Sequence, residues 1–127
     1  MPETSQPRLF DTAHLNALFD AVPDGIYLLD PVTSNVLFCN KAAHEDLGYA
    51  ADEILGHSVL SLQKDVTGLP AWELIAAEIR KASPFVFVGR HRHKDGHEVS
   101  VEVCTNTFHL NGTEYFFCRP HGTSACA

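Results

Sequence analysis

The chain has 127 residues, 45% of them hydrophobic, and a formal charge of −7. That length sets one domain and that apolar fraction builds a core, which excludes disorder. The acidic balance argues against a nucleic-acid partner, and apolar runs such as Phe85-Val86-Phe87-Val88 fall far short of the ~20 residues of a membrane span.

Residues 1–9 read as a flexible leader. Residues 10–22 form an N-terminal helix, with Leu15, Leu18, Phe19 and Val22 at three- and four-residue spacing and Asp11 placed as N-cap. Pro23-Asp24-Gly25 stops it. Its apolar stripe needs a cover, either the domain's own sheet or a second copy of the chain. Two short strands follow, Gly25 to Leu29 and Asn35 to Cys39, joined through the turn-forming Asp30-Pro31-Val32-Thr33-Ser34. Asn40 caps a short helix, Lys41 to Leu47, which Gly48 ends. Asp52 to Leu55 gives another short helix, closed by Gly56, and His57 to Leu62 a further helical turn.

A loop, Thr67 to Pro70, leads into the clearest helix, Pro70 to Ala82, whose Trp72, Ile75, Ala76 and Ile79 share one face. Ser83-Pro84 ends it. The last third is strand: Phe85 to His93, Val99 to Phe108 and Tyr115 to Cys118, turned at Lys94-Asp95-Gly96 and Asn111-Gly112. Two strands, several helices and three strands make an α+β domain whose antiparallel sheet is covered on one face. The domain spans residues 23–119, and 120–127 form a C-terminal tail.

The Asp95-Gly96 turn closes in one of two registers. A two-residue loop would put Phe85 and Phe87 on a face with Glu98, Ser100 and Glu102. A three-residue loop, with Gly96 as the bulge residue, instead gathers Phe85, Phe87, Gly89 and His91 with Val99, Val101 and Val103. It leaves Arg90, Arg92, Glu98, Ser100 and Glu102 on the other face, with Arg92 across from Glu98. Face consistency selects the second register. His91 then faces the helices beside Gly89, where the missing side chain leaves room. A polar ring there needs a partner, either a bound ligand or protein and water.

Asp24-Gly25-Ile26, Asn40 and the run Gly48-Tyr49-Ala50-Ala51-Asp52-Glu53-Ile54-Leu55-Gly56 resemble the first half of a PAS (Per-Arnt-Sim) sensory domain. His93-Lys94-Asp95-Gly96-His97-Glu98-Val99 resembles the central hairpin of its second half, and the likeness spans Phe10 to Arg119. The resemblance implies the PAS fold, a five-stranded antiparallel sheet in the order 2-1-5-4-3 with helices cupped over one face. It also implies a pocket for haem, flavin or a small metabolite, a homodimer built on the N-terminal helix, and an output domain or partner protein beyond these residues. Ser58-Val59-Leu60-Ser61-Leu62-Gln63 stands where light-oxygen-voltage members carry a reactive Cys, which argues against flavin-cysteinyl photochemistry. Pro70 to Ala82 has no His, so haem ligation from that helix is unsupported, which leaves His57 or His91 as the alternatives. Arg119-Pro120-His121-Gly122-Thr123 replaces the family's usual Asp-Ile-Thr-like exit.

The expected small-molecule pocket is formed by Trp72, Ile75, Phe87, Gly89, His91, Val101 and Val103. It is mostly apolar with one convergent polar group, the general pattern of a ligand site, whose identity stays open. His91 is expected to change charge near neutral pH and so to make occupancy pH-dependent. Against this stands an interaction domain whose pocket is filled by its own Phe and Leu side chains. Of the chain's eight histidines, His91, His93 and His97 raise a metal site, but a solvated hairpin tip beside Arg92 and Lys94 is the expectation. No nucleophile with a base and an orienting acid stands out, so catalysis is not expected. The polar N-terminus, Met1 to Arg8, lacks the plan of a signal peptide, and Cys39, Cys104, Cys118 and Cys126 lack CxxC spacing. Both suit the cytosol, with the cysteines kept as thiols.

Overall fold

The computed structural model describes residues 11–63 and 68–122; the leader 1–9, Phe10, Thr67, Cys126 and the tail from 123 lie outside them. Helix α1 (Thr12–Ala21) starts at Asp11, whose carboxylate accepts from the His14 backbone N–H at 3.0 Å. Strand β1 (Tyr27–Leu29) pairs with β2 (Val36–Cys39) across a loop pinned by Asp30, which accepts from the backbone of Val32 and Thr33. Helices α2 (Lys41–Glu45) and α3 (Ala51–Ile54), then a 3-10 turn at Val59–Leu62, follow in short steps. Gly48 and Gly56 end two of these steps at φ +80°, a conformation that costs glycine least.

Asn40 does more than cap. Its side chain is fully buried, and Oδ1 accepts from Ala43 N at 3.1 Å and from Ile26 N at 2.8 Å. Nδ2 donates to the carbonyls of Phe19 at 2.9 Å and Asp24 at 3.0 Å. One amide therefore joins the end of α1, the entry to β1 and the start of α2.

Helix α4 (Leu69–Lys81) buries Trp72, Ala76 and Ile79 on one face, as its spacing predicts. Each large side chain buried there contributes about 1.5–3 kcal/mol relative to exposure. Trp72 Nε1 donates to the Pro31 carbonyl at 2.8 Å, and its ring packs at 5.9 Å on Phe116. Strands β3 (Phe85–Arg92), β4 (Glu98–Leu110) and β5 (Thr113–Gly122) complete a sheet in the order β2-β1-β5-β4-β3, every pair antiparallel.

The central hairpin takes the three-residue register: Arg92 faces Glu98, His91 faces Val99 and Phe87 faces Val103. The ion pair itself runs diagonally, from Arg90 to Glu98 at 3.2 Å. Strand β3 stops at Arg92, one residue short of the expected end. Strand β5, in contrast, continues to Gly122, so residues 120–122 belong to the sheet and not to a tail. Pro120 has no N–H to give a ladder, and it lies past Cys118, where pairing with β1 has ended and β4 remains alongside. Among the described residues no helix is long and apolar enough to cross a membrane.

Candidate functional site

The sheet's inner face carries Tyr27, Val101, Val103 and Phe116 against Leu47, Ile54, Leu62 and Trp72, all in one buried cluster. Of the seven residues expected to line a pocket, Trp72, Val101 and Val103 belong to this cluster, and Ile75 and Phe87 pack against it. His91 and Val101 border a space of about 80 Å³ beneath α2 that Tyr27, Ala43, Asp46 and Leu47 also line. Ligand pockets for drug-sized molecules run to about 300–1,000 Å³, whereas a water occupies about 30 Å³. The space beneath α2 therefore suits a few waters.

His91 is 3% exposed and meets protein: its Nε2 lies 3.0 Å from Gln63 Nε2, and the two residues form an isolated antiparallel bridge. Burial pushes its pKa down from 6.5 to about 4. The ring is thus neutral throughout the neutral range, which corrects the expectation of a charge change there. Desolvation is the cause, because burial penalises the charged ring. Among the described residues, the buried Gln63 Oε1 finds no hydrogen-bond partner. A Cβ built on Gly89 would stand 3.6 Å from that oxygen and 3.7 Å from the Phe87 ring. Both are ordinary contact distances, so a methyl group fits at Gly89, and a longer side chain there would press on the Gln63 amide and the Phe87 ring.

The other polar groups of the inner face are satisfied locally. Tyr27 Oη donates to the Ala43 carbonyl at 2.7 Å, and burial raises its pKa. Thr105 Oγ1 donates to Cys118 Sγ at 3.3 Å, while burial pushes the Cys118 thiol up to about 12. Cys39 is raised by burial as well. Both thiols stay protonated at neutral pH, the inert state of a core cysteine.

Among the described residues, those around this cavity do not fit a flavin or a haem. The inner cavity is too small for either ring system, the inner-face His91 is already engaged by Gln63, and Ser58 to Gln63 offers no thiol.

The outer face differs. Leu15, Leu18, Phe38 and Phe108 are exposed by 53%, 56%, 36% and 37%, a row that would cost free energy if left in water. With Leu28 and Phe117 they line an apolar groove of about 510 Å³ between α1 and the sheet. Phe19 fixes the helix over this face by packing at 5.0 Å on Phe38. The sequence marked the helical stripe but not the aromatic floor beneath it, because Phe38, Phe108 and Phe117 come together only through the order of the strands.

A family model described as PAS domain matches residues 13–84. The fold is similar to the PAS domain of an HTR-like protein from Haloarcula marismortui, at 26% identity and TM-score 0.75 over 87% of this chain and 89% of that one. It is also similar to a domain of a sensory box sensor histidine kinase/response regulator from Geobacter sulfurreducens, at 23% identity and TM-score 0.67 over 85% and 91%. A LOV protein from Rhodobacter sphaeroides shares the fold at 17% identity and TM-score 0.70, over 89% of this chain and 66% of that one. No curated protein matches. With the family model covering more than half of its length and the strand order in place, the chain belongs to the PAS domain family.

Proposed function

We propose that this domain is a cytosolic signalling module that acts by pairing with a second copy of itself through the outer face, and relays to an output domain or partner protein. The observation that carries this reading is the groove between α1 and the sheet, lined by apolar side chains apart from Asn16. The patch holds both a ridge, Leu15 and Leu18 on α1, and a trough floored by Leu28, Phe108 and Phe117. A two-fold axis lets each ridge enter the other copy's trough, which is how a self-complementary surface closes a dimer. Relatives from a sensor histidine kinase support a relay role.

The test is the solution mass by light scattering at micromolar concentration, for the wild type and for Leu15→Glu/Leu18→Glu. The chain mass is 14.0 kDa. The wild type is expected at twice that mass and the double variant at the single value. A monomeric wild type would overturn the reading.

A second reading keeps a small ligand on the inner face, and the unpartnered Gln63 Oε1 favours it. It needs the helices to move outward, since the present cavity is water-sized. Mass spectrometry of whatever the purified protein releases on denaturation, repeated on Gly89→Leu, tests it. A released compound that Gly89→Leu loses supports it, and no released compound counts against it.

A further inference from the structure

We propose that the tip of the β3–β4 hairpin is a binding site for a transition-metal dication of the zinc or copper class, formed by His93, Asp95 and His97. Among the described residues these form a three-membered group of metal-ligating side chains, with one donor atom from each lying within 4.8 Å of the others. Asp95 Oδ1 stands 3.2 Å from His93 Nδ1 and 2.5 Å from His97 Nδ1. The two imidazoles stack with centroids 4.4 Å apart and planes 19° from parallel, so both present Nδ1 to the same carboxylate oxygen. Two imidazole nitrogens and a carboxylate are the donors that zinc and copper accept, and three protein ligands leave a position for water.

The backbone holds the three residues in place. His93 N donates to His97 O at 2.8 Å and Gly96 N to His93 O at 2.9 Å, which closes the loop that Gly96 turns at φ +99°. The tip is also docked on the body. Lys94 N donates to Leu47 O at 2.8 Å, and the His93 ring lies so close to Gly48 that a Cβ there would stand 2.6 Å from its Cε1. Lys94, whose charge would repel a cation, has its Nζ held by Glu53 at 2.8 Å. The sequence suggested His91 as the third ligand, but that ring is buried on Gln63, and Asp95 takes its place. An incoming ion displaces two short contacts: the one between Asp95 Oδ1 and His97 Nδ1, and the 3.1 Å bond from Asp95 N to His93 Nδ1. Any proton those nitrogens hold leaves with it.

Isothermal titration of the full chain with zinc chloride alone, in a buffer that does not chelate, tests the proposal. One ion per chain is expected, with affinity reduced at least tenfold in His97→Ala and in Asp95→Asn and unchanged in His109→Ala. The substituted residues are exposed, and circular dichroism checks that each variant keeps the wild-type fold. Cobalt(II) substitution should give visible absorption of a four- or five-coordinate ion, lost in the same two variants. Absence of zinc binding, or equal affinity in the tip variants and the wild type, would overturn the site.

Discussion

The burial of His91 makes stability depend on pH in a direction that the structure fixes. An exposed histidine in the unfolded chain has a pKa near 6.5, whereas the buried ring is held at about 4. Below pH 6.5 the unfolded state takes up a proton that the folded state refuses. The stabilisation is thus complete above 6.5 and is lost as pH falls toward 4. Between pH 7.5 and pH 5 the loss from this one group is about 2 kcal/mol. With a urea m-value of about 1.5 kcal/mol/M, the midpoint should fall by roughly 1 M or more. His91→Gln keeps a polar group opposite Gln63 but does not titrate. Urea denaturation of both proteins at pH 7.5, 6 and 5 isolates the term, because every other ionisable group is common to the two. The wild type should lose about 2 kcal/mol more than the variant over that range. Parallel curves would mean that His91 is solvated or paired with an anion, and the account of the inner face would fail.

Asn40→Ala removes the accepted and donated hydrogen bonds of the amide at the junction of α1, β1 and α2 and should cost about 2–4 kcal/mol in urea denaturation. A loss below about 0.5 kcal/mol would show that water replaces the amide at no cost. Trp72→Phe keeps a ring against Phe116 but orphans the buried Pro31 carbonyl, so it should cost about 1–3 kcal/mol by the same assay.

The parts of the fold legible in the sequence are those where one local rule decides. The hairpin register followed from asking which pairing keeps Phe85 and Phe87 off the face of Glu98, Ser100 and Glu102, and the structure shows that pairing. Asp11, Asn40, Gly48 and Gly56 announced helix ends through chemistry confined to a few residues. What stayed hidden depends on residues far apart in the chain. Gln63 meets His91 from 28 positions away, and no pattern around either residue signals the other. The donors of Asn40 reach carbonyls as far as 21 residues upstream, a contact that its role as a cap does not imply. Strand β5 outruns its expected end at Cys118 because β4 continues to pair with it through Pro120 after β1 has stopped. Cavity size is the extreme case. Trp72, Ile75 and Phe87 pointed inward as expected, yet whether inward side chains leave room or fill it depends on how all of them interlock.

The strand order also bears on how the chain is made. Strand β5 pairs with its immediate predecessor through a two-residue turn, whereas its other neighbour, β1, is supplied from the opposite end of the sequence, with Tyr27 set against Cys118. On a ribosome, β1 and β2 emerge first and wait through α4 and two further strands before β5 arrives to join the two halves. Contacts so distant in sequence form late and slowly. During that interval Tyr27 and Leu29, both buried in the finished domain, have only β2 beside them and lack the β5 side of the sheet. Those two positions, more than any on the finished surface, are where a nascent chain of this topology is exposed to mispairing with another.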